Sequence, residues 1–426
     1  MGQGVLTAAF PRLDGVLHAE CVPLERIAAA AGTPTFVYSA SLVRERFHAL
    51  DEALAAVPHR IHYTLKANSN RALLGVLRAL GSGVDVVSGG ELFRASAAGF
   101  AGADIIFGGV GKTDDELREA LSAGVALINA ESEAEVRAIG RIAGELGVEA
   151  RVSLRVNPEV TVEAAHHYIK TGERGHKFGI PYDDALHVAH VAAALPRVAL
   201  AGLDMHLGSM LSRAEPYRAG AERLAELCAQ IRAAGITTLR HLDVGGGLSV
   251  RYADEVPLDP AEFARAVIPI VQATGLELIV EPGRFIVGNA GILMARVLYR
   301  KHSGGKDYAV ADAGMTELIR PSYYNAHHRI EAVRRVDGTQ LLNVVGPVCE
   351  SGDFLALDRP MDDVAPGDLL AVFDAGAYGY VMSSNYNGRR RAAEVLVDGD
   401  RFAVVTARES YDDLVRHEVP HPDWRS

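Results

Sequence analysis

Between about residues 60 and 281, short apolar runs alternate with segments whose apolar residues recur at helical spacing. The runs at 60–65, 84–87, 104–107, 125–128, 151–156, 200–205, 239–244 and 276–280 read as strands, and stretches such as 91–95 and 221–232 as amphipathic helices between them. Eight strands joined by crossover helices predict a parallel (β/α)8 TIM barrel. A doubly wound open sheet is the competing architecture, which periodicity does not separate from it. After Gly283 the pattern changes. Segments rich in Val, Ile and Leu at 292–299, 308–311, 340–345, 369–373, 393–397 and 402–406 are punctuated by Gly, Asp and Pro, predicting a mostly antiparallel β domain. Residues 35–38 are a further strand candidate. The expected division is an N-terminal segment (1–38) packing on the β domain, a barrel (39–283) and the β domain (284–426).

Composition narrows the function classes. Of 426 residues, 49% are hydrophobic and 23% charged, as in an ordinary soluble globular protein. A net charge of −11 argues against a nucleic-acid or anionic-membrane surface. Cys21, Cys228 and Cys349 are widely scattered, which excludes a disulfide framework or a structural zinc site and fits a reducing, cytoplasmic compartment. No basic segment followed by an apolar core opens the chain, so no secretory signal is expected. No run approaches the length of a membrane span.

Barrel enzymes carry their chemistry at the C-terminal ends of the strands. Those ends hold Lys66; Asp85 and Ser88 with Glu91 just beyond; Arg155 and Asn157; His206 and Ser209; Gly245-Gly246-Gly247; and Glu281-Pro282-Gly283-Arg284. Each has an ordinary alternative: a solvated lysine, a helix-capping carboxylate, a core histidine, a tight glycine turn. Together they point to more. A lysine half withdrawn from water has its ammonium disfavoured and can attack a carbonyl to form an imine. Glycines let backbone N–H groups approach a phosphate, here at Gly245–Gly247 and Gly283. A strand-end glutamate such as Glu281 can keep a pyridine nitrogen protonated, and His206 can stack on the ring. These are the parts needed to hold pyridoxal 5'-phosphate. No HExxH, DxDxDG or Walker lysine pattern offers a metal or nucleotide site, and no metal is expected.

The segments Tyr63-Thr64-Leu65-Lys66-Ala67-Asn68, Ser88-Gly89-Gly90-Glu91, His206-Leu207-Gly208-Ser209, Asp243–Gly247 and Glu281–Arg284 resemble, in order and spacing, the fold-type III pyridoxal-phosphate decarboxylases. These have an alanine-racemase-like barrel followed by a β domain. Further motifs are similar to the diaminopimelate decarboxylases. They are Tyr168-Ile169-Lys170-Thr171-Gly172, Lys177-Phe178-Gly179, Asp312-Ala313-Gly314-Met315, Leu318-Ile319-Arg320-Pro321, the stretch from Gly346 to Asp353, and Gly376-Ala377-Tyr378-Gly379 with Ser383-Ser384-Asn385-Tyr386-Asn387. The resemblance spans roughly residues 33–416.

It implies that Lys66 is the Schiff-base lysine. By the same resemblance Ser209, Gly247, Glu281, Pro282, Gly283, Arg284 and Tyr378 bind the cofactor; the strand-end reading adds Asp85, Glu91, Gly246 and His206, the last also a catalytic candidate beside Lys66 and Cys349. Arg284, Arg320, Tyr324, Glu350 and Tyr378 contact substrate, and Cys349 donates a proton. It further implies a homodimer with shared sites, the Cys349-Glu350 loop of one subunit reaching across to the other. The side chains agree with a distal amino-acid end bearing both charges: Arg320 can fork a carboxylate and Glu350 can accept from an ammonium. Thr316-Glu317, Ala165, Arg390 and Ala392 depart from the family pattern. Other readings are a same-fold decarboxylase for a carrier-tethered glutamate or for lysine, ornithine or arginine, and a non-catalytic cofactor-binding homologue.

Overall fold

The computed structural model describes residues 9–161, 177–422, 424 and 425. The Tyr168–Gly172 motif and Ala165 lie outside them. The chain divides into two compact units, Leu42–Gly288 and Met1–Ser41 with Asn289–Ser426. The second boundary falls a few residues beyond 283 because the turn Arg284–Val287 is buried in the first unit.

In the first unit eight parallel strands close into a ring: His59–Thr64, Gly83–Val86, Ile105–Phe107, Leu127–Ala130, Ala150–Asn157, Val198–Asp204, His241–Asp243 and Glu277–Val280. Leu278 pairs with His59, Ile279 with Arg60 and Val280 with Ile61, and this last ladder makes the sheet a barrel rather than an open sheet. The intervening helices start where side chains satisfy their first N–H groups. Asn70 Oδ1 accepts from Ala72 N–H, Ser88 Oγ from Glu91 N–H, and Thr113 and Glu116 form a reciprocal capping box. The cap of the helix Gly89–Ala97 is therefore Ser88, not Asp85 or Glu91, which leaves both carboxylates for other work.

The fourth strand sits two residues later than the apolar run at 125–128 predicts. The run begins with Val125 and Ala126, whose backbone turns back to Ala120, Gly102 and Ile105 before pairing starts. That shift hides Asn129 and Glu131 from a reading of strand ends.

The second unit is built around the long strand Gly291–Ser303. It pairs antiparallel with Lys306–Ala311, with Thr35–Ser39 and with Leu369–Val372. Gly304 and Gly305, both at positive φ, make the two-residue turn of its hairpin. Two pairings are parallel, Thr35–Ser39 with Ala393–Asp398 and Lys306–Ala311 with Thr339–Val345, so the domain is mixed although mostly antiparallel. Phe354–Asp362 is a nine-residue strand that pattern reading misses. It contains Pro360 and a left-handed Asp358, features that a sheet edge tolerates and that break the alternation. A small sheet of Arg12–Leu13, Val16–Ala19 and Val22–Pro23 completes the unit.

Candidate active site

Register sets which side chains meet at the barrel mouth. Thr64 pairs with Asp85, Arg155 and Asp243 each pair with Asp204, and all lie at the C-terminal ends of their strands. Thr64 N–H donates to Pro282 O and Leu65 N–H to Asp85 O, which seats Lys66 between the second and eighth strand ends. Lys66 Nζ then lies 3.8 Å from Asp85 Oδ2, with the lysine side chain 36% exposed and the aspartate 2%. Glu91 turns back so that its Oε2 accepts from Val87 N–H at 2.9 Å. Burial, with Asp85 reinforcing it, pushes the Glu91 carboxyl up to about 7.

Three buried carboxyls, Asp204, Asp243 and Glu281, have oxygens within 4.8 Å of one another. Charges that close in a dry interior cannot all be ionised. Burial first, and mutual repulsion second, raise Asp243 and Glu281 well above the carboxylate range; burial lifts Asp204 to about 7 although Arg155 opposes it. Asn129 Nδ2 donates to Glu281 Oε1 at 3.3 Å. Arg155 Nη1 is paired with Glu131 at 2.8 Å, and Glu131 also accepts from Gly179 N–H, so this ion pair ties the segment after residue 176 to the barrel.

The glycine triplet is packed with no room for side chains. A Cβ on Gly246 would stand 2.2 Å from Glu281 O, and one on Gly247, whose φ is +98°, 2.4 Å from Gly208 O. Tyr217 OH donates to Gly246 O and Leu211 N–H to Gly247 O, pinning the turn. The expectation that the whole triplet offers bare N–H groups is narrowed here: Gly245 N–H donates to Asp243 Oδ1 and Gly246 N–H to His206 Nδ1. His206 Nδ1 accepts, so the neutral ring carries its proton on Nε2. Desolvation, then the nearby Lys66 and Arg155 charges, hold its pKa well below the usual histidine range. Ser209 Oγ accepts from Arg284 Nη2 at 3.2 Å, and Arg284 Nη1 donates to Tyr252 OH at 2.7 Å. Gly283 lacks room as well, a Cβ falling 2.5 Å from Thr64 Cγ2.

Lys66, Asp85, Glu91, His206, Ser209, Gly246, Gly247, Glu281, Pro282, Gly283 and Arg284 thus belong to one unit, and Arg320, Tyr324, Cys349, Glu350 and Tyr378 to the other. In the second unit the buried Arg320 opens the short helix Arg320–Tyr324, and Tyr324 ends it. Ser322 Oγ donates to Gly352 O at 2.5 Å, joining that helix to the loop of Cys349 and Glu350. Cys349 and Glu350 are exposed; Cys349 N–H donates to Asn387 Oδ1 at 2.9 Å. Asp353 braces the loop by accepting from Met315 and Val348 N–H. Tyr378 adopts a left-handed backbone, φ 56°. Asp204, Asn129, Glu131 and Tyr252 escaped the sequence reading. Asp204 sits inside an apolar run, where its only signal is being a lone acid two residues before His206.

The donor set fits pyridoxal phosphate on chemical grounds. It combines an amine at a strand end, a proton-bearing buried carboxyl, a neutral imidazole, and a hydroxyl and cramped glycines beside them. Residues 40–288 match the family model described as pyridoxal-dependent decarboxylase, pyridoxal binding domain. The chain is 49% identical over 410 residues to a diaminopimelate decarboxylase of Pseudomonas aeruginosa, covering 96% of this chain and 98% of that protein. Among solved structures, diaminopimelate decarboxylase of M. jannaschii in co-complex with L-lysine superposes with a TM-score of 0.92 at 31% identity, over 97% of this chain and 98% of that one. The Helicobacter pylori enzyme complexed with L-lysine gives 0.89 at 36% identity, over 93% and 99%. A likeness that runs through both units, and not the barrel alone, decides the matter: the chain belongs to the diaminopimelate decarboxylase family of pyridoxal-dependent decarboxylases.

Proposed function

We propose that this protein decarboxylates meso-2,6-diaminopimelate to L-lysine and CO2, the last step of lysine biosynthesis, with pyridoxal 5'-phosphate as cofactor. The observation that carries the proposal is the full-length likeness, 49% identity across 96% of the chain. It is joined to a barrel mouth where Lys66 stands beside Asp85 and three carboxyls crowd at Glu281. When bound, the cofactor supplies an aldehyde for an amine and a ring that takes up the electron pair left as CO2 departs.

In this reading Lys66 would provide the amine that anchors the cofactor. Glu281, kept protonated by burial and by Asp243, Asp85 and Asp204, holds a proton for the ring nitrogen. His206, neutral with Nδ1 satisfied by Gly246, offers an uncharged ring face. Ser209, Gly247, Gly283 and Arg284 receive the phosphate. Arg320 takes the distal carboxylate, Glu350 the distal ammonium, and Tyr324 and Tyr378 line the substrate. The Cys349 thiol, exposed on its loop, protonates the carbon that lost CO2.

The exposed Cys349-Glu350 loop supports a homodimer in which each loop serves the partner's site. Free cysteines, two of them exposed, support a cytoplasmic setting. Among the described residues no helix is long and apolar enough to cross a membrane. The deciding experiment is CO2 release from meso-diaminopimelate beside lysine, ornithine and arginine. Strong preference for the first is expected, and preference for any of the others overturns the assignment.

A further inference from the structure

Arg320 is buried at the start of its helix, and its Nη1 donates to His328 Nε2 at 3.0 Å. His328 is wholly buried. A guanidinium has only donors, so the nitrogen it addresses must be an unprotonated acceptor. The proton of the neutral ring then sits on Nδ1, which donates to Phe373 O at 2.8 Å. One tautomer is selected and both ring nitrogens are used.

The histidine's main chain is fixed as well. Arg359 Nη1 donates to His328 O, and Phe373 N–H donates to Arg329 O at 2.8 Å. From there Ile330 pairs with Val372 in the ladder between Ile330–Ala332 and Leu369–Val372. A continuous path of bonds therefore runs from the sheet backbone, through one imidazole, to one guanidinium nitrogen.

We infer that His328 is a positioning residue for Arg320, fixing the plane of its guanidinium for a carboxylate at the far end of the substrate; this rests on the role proposed above for Arg320. A long arginine side chain has many rotamers, and forked recognition of a carboxylate needs one of them. A neutral imidazole supplies a charge-assisted bond that orients the group without cancelling its charge, as a carboxylate in that place would. The residue therefore contributes to preference for a substrate with a distal carboxylate while touching neither substrate nor cofactor.

The test is a pair of near-isosteric variants of the holoenzyme. His328→Gln puts an amide oxygen where Nε2 accepts; His328→Asn reaches only the Nδ1 position. The expected result is a KM for meso-diaminopimelate within about threefold of wild type for Gln and raised about tenfold or more for Asn. In both, kcat stays within about threefold and cofactor affinity, read from visible absorption, is unchanged. Equal KM values in wild type and Asn overturn the inference. So does a tenfold rise in the Gln variant with normal cofactor binding, a result that decides the matter even if the Asn protein does not fold. Arg320→Ala is measured in parallel. If it leaves KM unchanged, the assignment of Arg320 fails and the inference with it. If it raises KM while His328→Asn does not, only the inference about His328 fails.

Discussion

Lys66 Nζ lies 3.8 Å from the buried Asp85 Oδ2, so the amine proposed to anchor the cofactor stands next to a carboxylate that the barrel keeps almost dry. Attraction at that distance holds the lysine in place, and partial exposure leaves it open to a carbonyl. Lys66→Ala is expected to lose the visible absorption of bound cofactor and at least about 10³-fold in turnover. A Lys66→Ala protein that keeps both would contradict the assignment of this lysine. Asp85→Asn, which leaves the lysine without its charged neighbour, should cost about tenfold in kcat/KM.

Gly246 has no space for a methyl group, whereas a Cβ on Gly75, inside the helix Arg71–Ala79, meets nothing within 4 Å. Gly246→Ala must displace the backbone of Glu281 and should lower both cofactor affinity and stability, the latter by about 1–3 kcal/mol. Gly75→Ala should instead stabilise by roughly 0.5–1 kcal/mol, since alanine is the better helix former. Denaturant titrations with and without cofactor compare the two. Equal effects would show that the tight packing of the triplet is unimportant.

Cys349 is exposed on a loop held by Asn387 and Asp353 rather than packed in a core. Its removal should therefore leave folding and cofactor binding intact. Cys349→Ala is expected to retain the absorption spectrum and to lose about 10²–10⁴-fold in turnover, the range of a positioned general acid. Wild-type rates would rule the thiol out as the proton donor.

The Glu91 carboxyl titrates at about 7 in the fold, raised by burial from its ordinary 4.5. Between these values the folded chain binds a proton that the unfolded chain has released. This group's contribution to stability therefore declines as pH rises from about 4.5 to 7 and is level above that. Glu91→Gln stays neutral and can still accept from Val87 N–H. Its stability relative to wild type should be near zero at pH 4 and grow to about 1–3 kcal/mol by pH 8. Unfolding midpoints across that range measure the difference, and a gap independent of pH would refute the placement of the carboxyl. Asp204, Asp243 and Glu281 shift in the same direction, so the wild type itself should weaken over this window.

The alternation of apolar runs and helical stretches was enough to count eight barrel strands and to mark the change of character after Gly283. Side-chain period and turn residues are local properties, and a chain carries them in order. The strand ends were legible for the same reason: Lys66, His206 and Glu281 follow their runs directly, and Asp85 stands within the short run at 84–87. Closure was not, because an open sheet and a barrel share one pattern and differ only in whether residues 278–280 pair with 59–61. Nor was the company each side chain keeps. Asp204, Asp243 and Glu281 are 39 and 38 residues apart in the chain, yet parallel register sets Asp204 beside Asp243 and all three crowd together, which disfavours their ionised forms. Arg320 could be named from its motif, but its tie through His328 to Phe373 O depends on a ladder between two distant strands. The sequence by itself determined which chemical groups are present and which strand ends carry them. Tertiary structure decided which are neutral, which are paired and which are held still, because desolvation and hydrogen bonding depend on distances that sequence order does not contain.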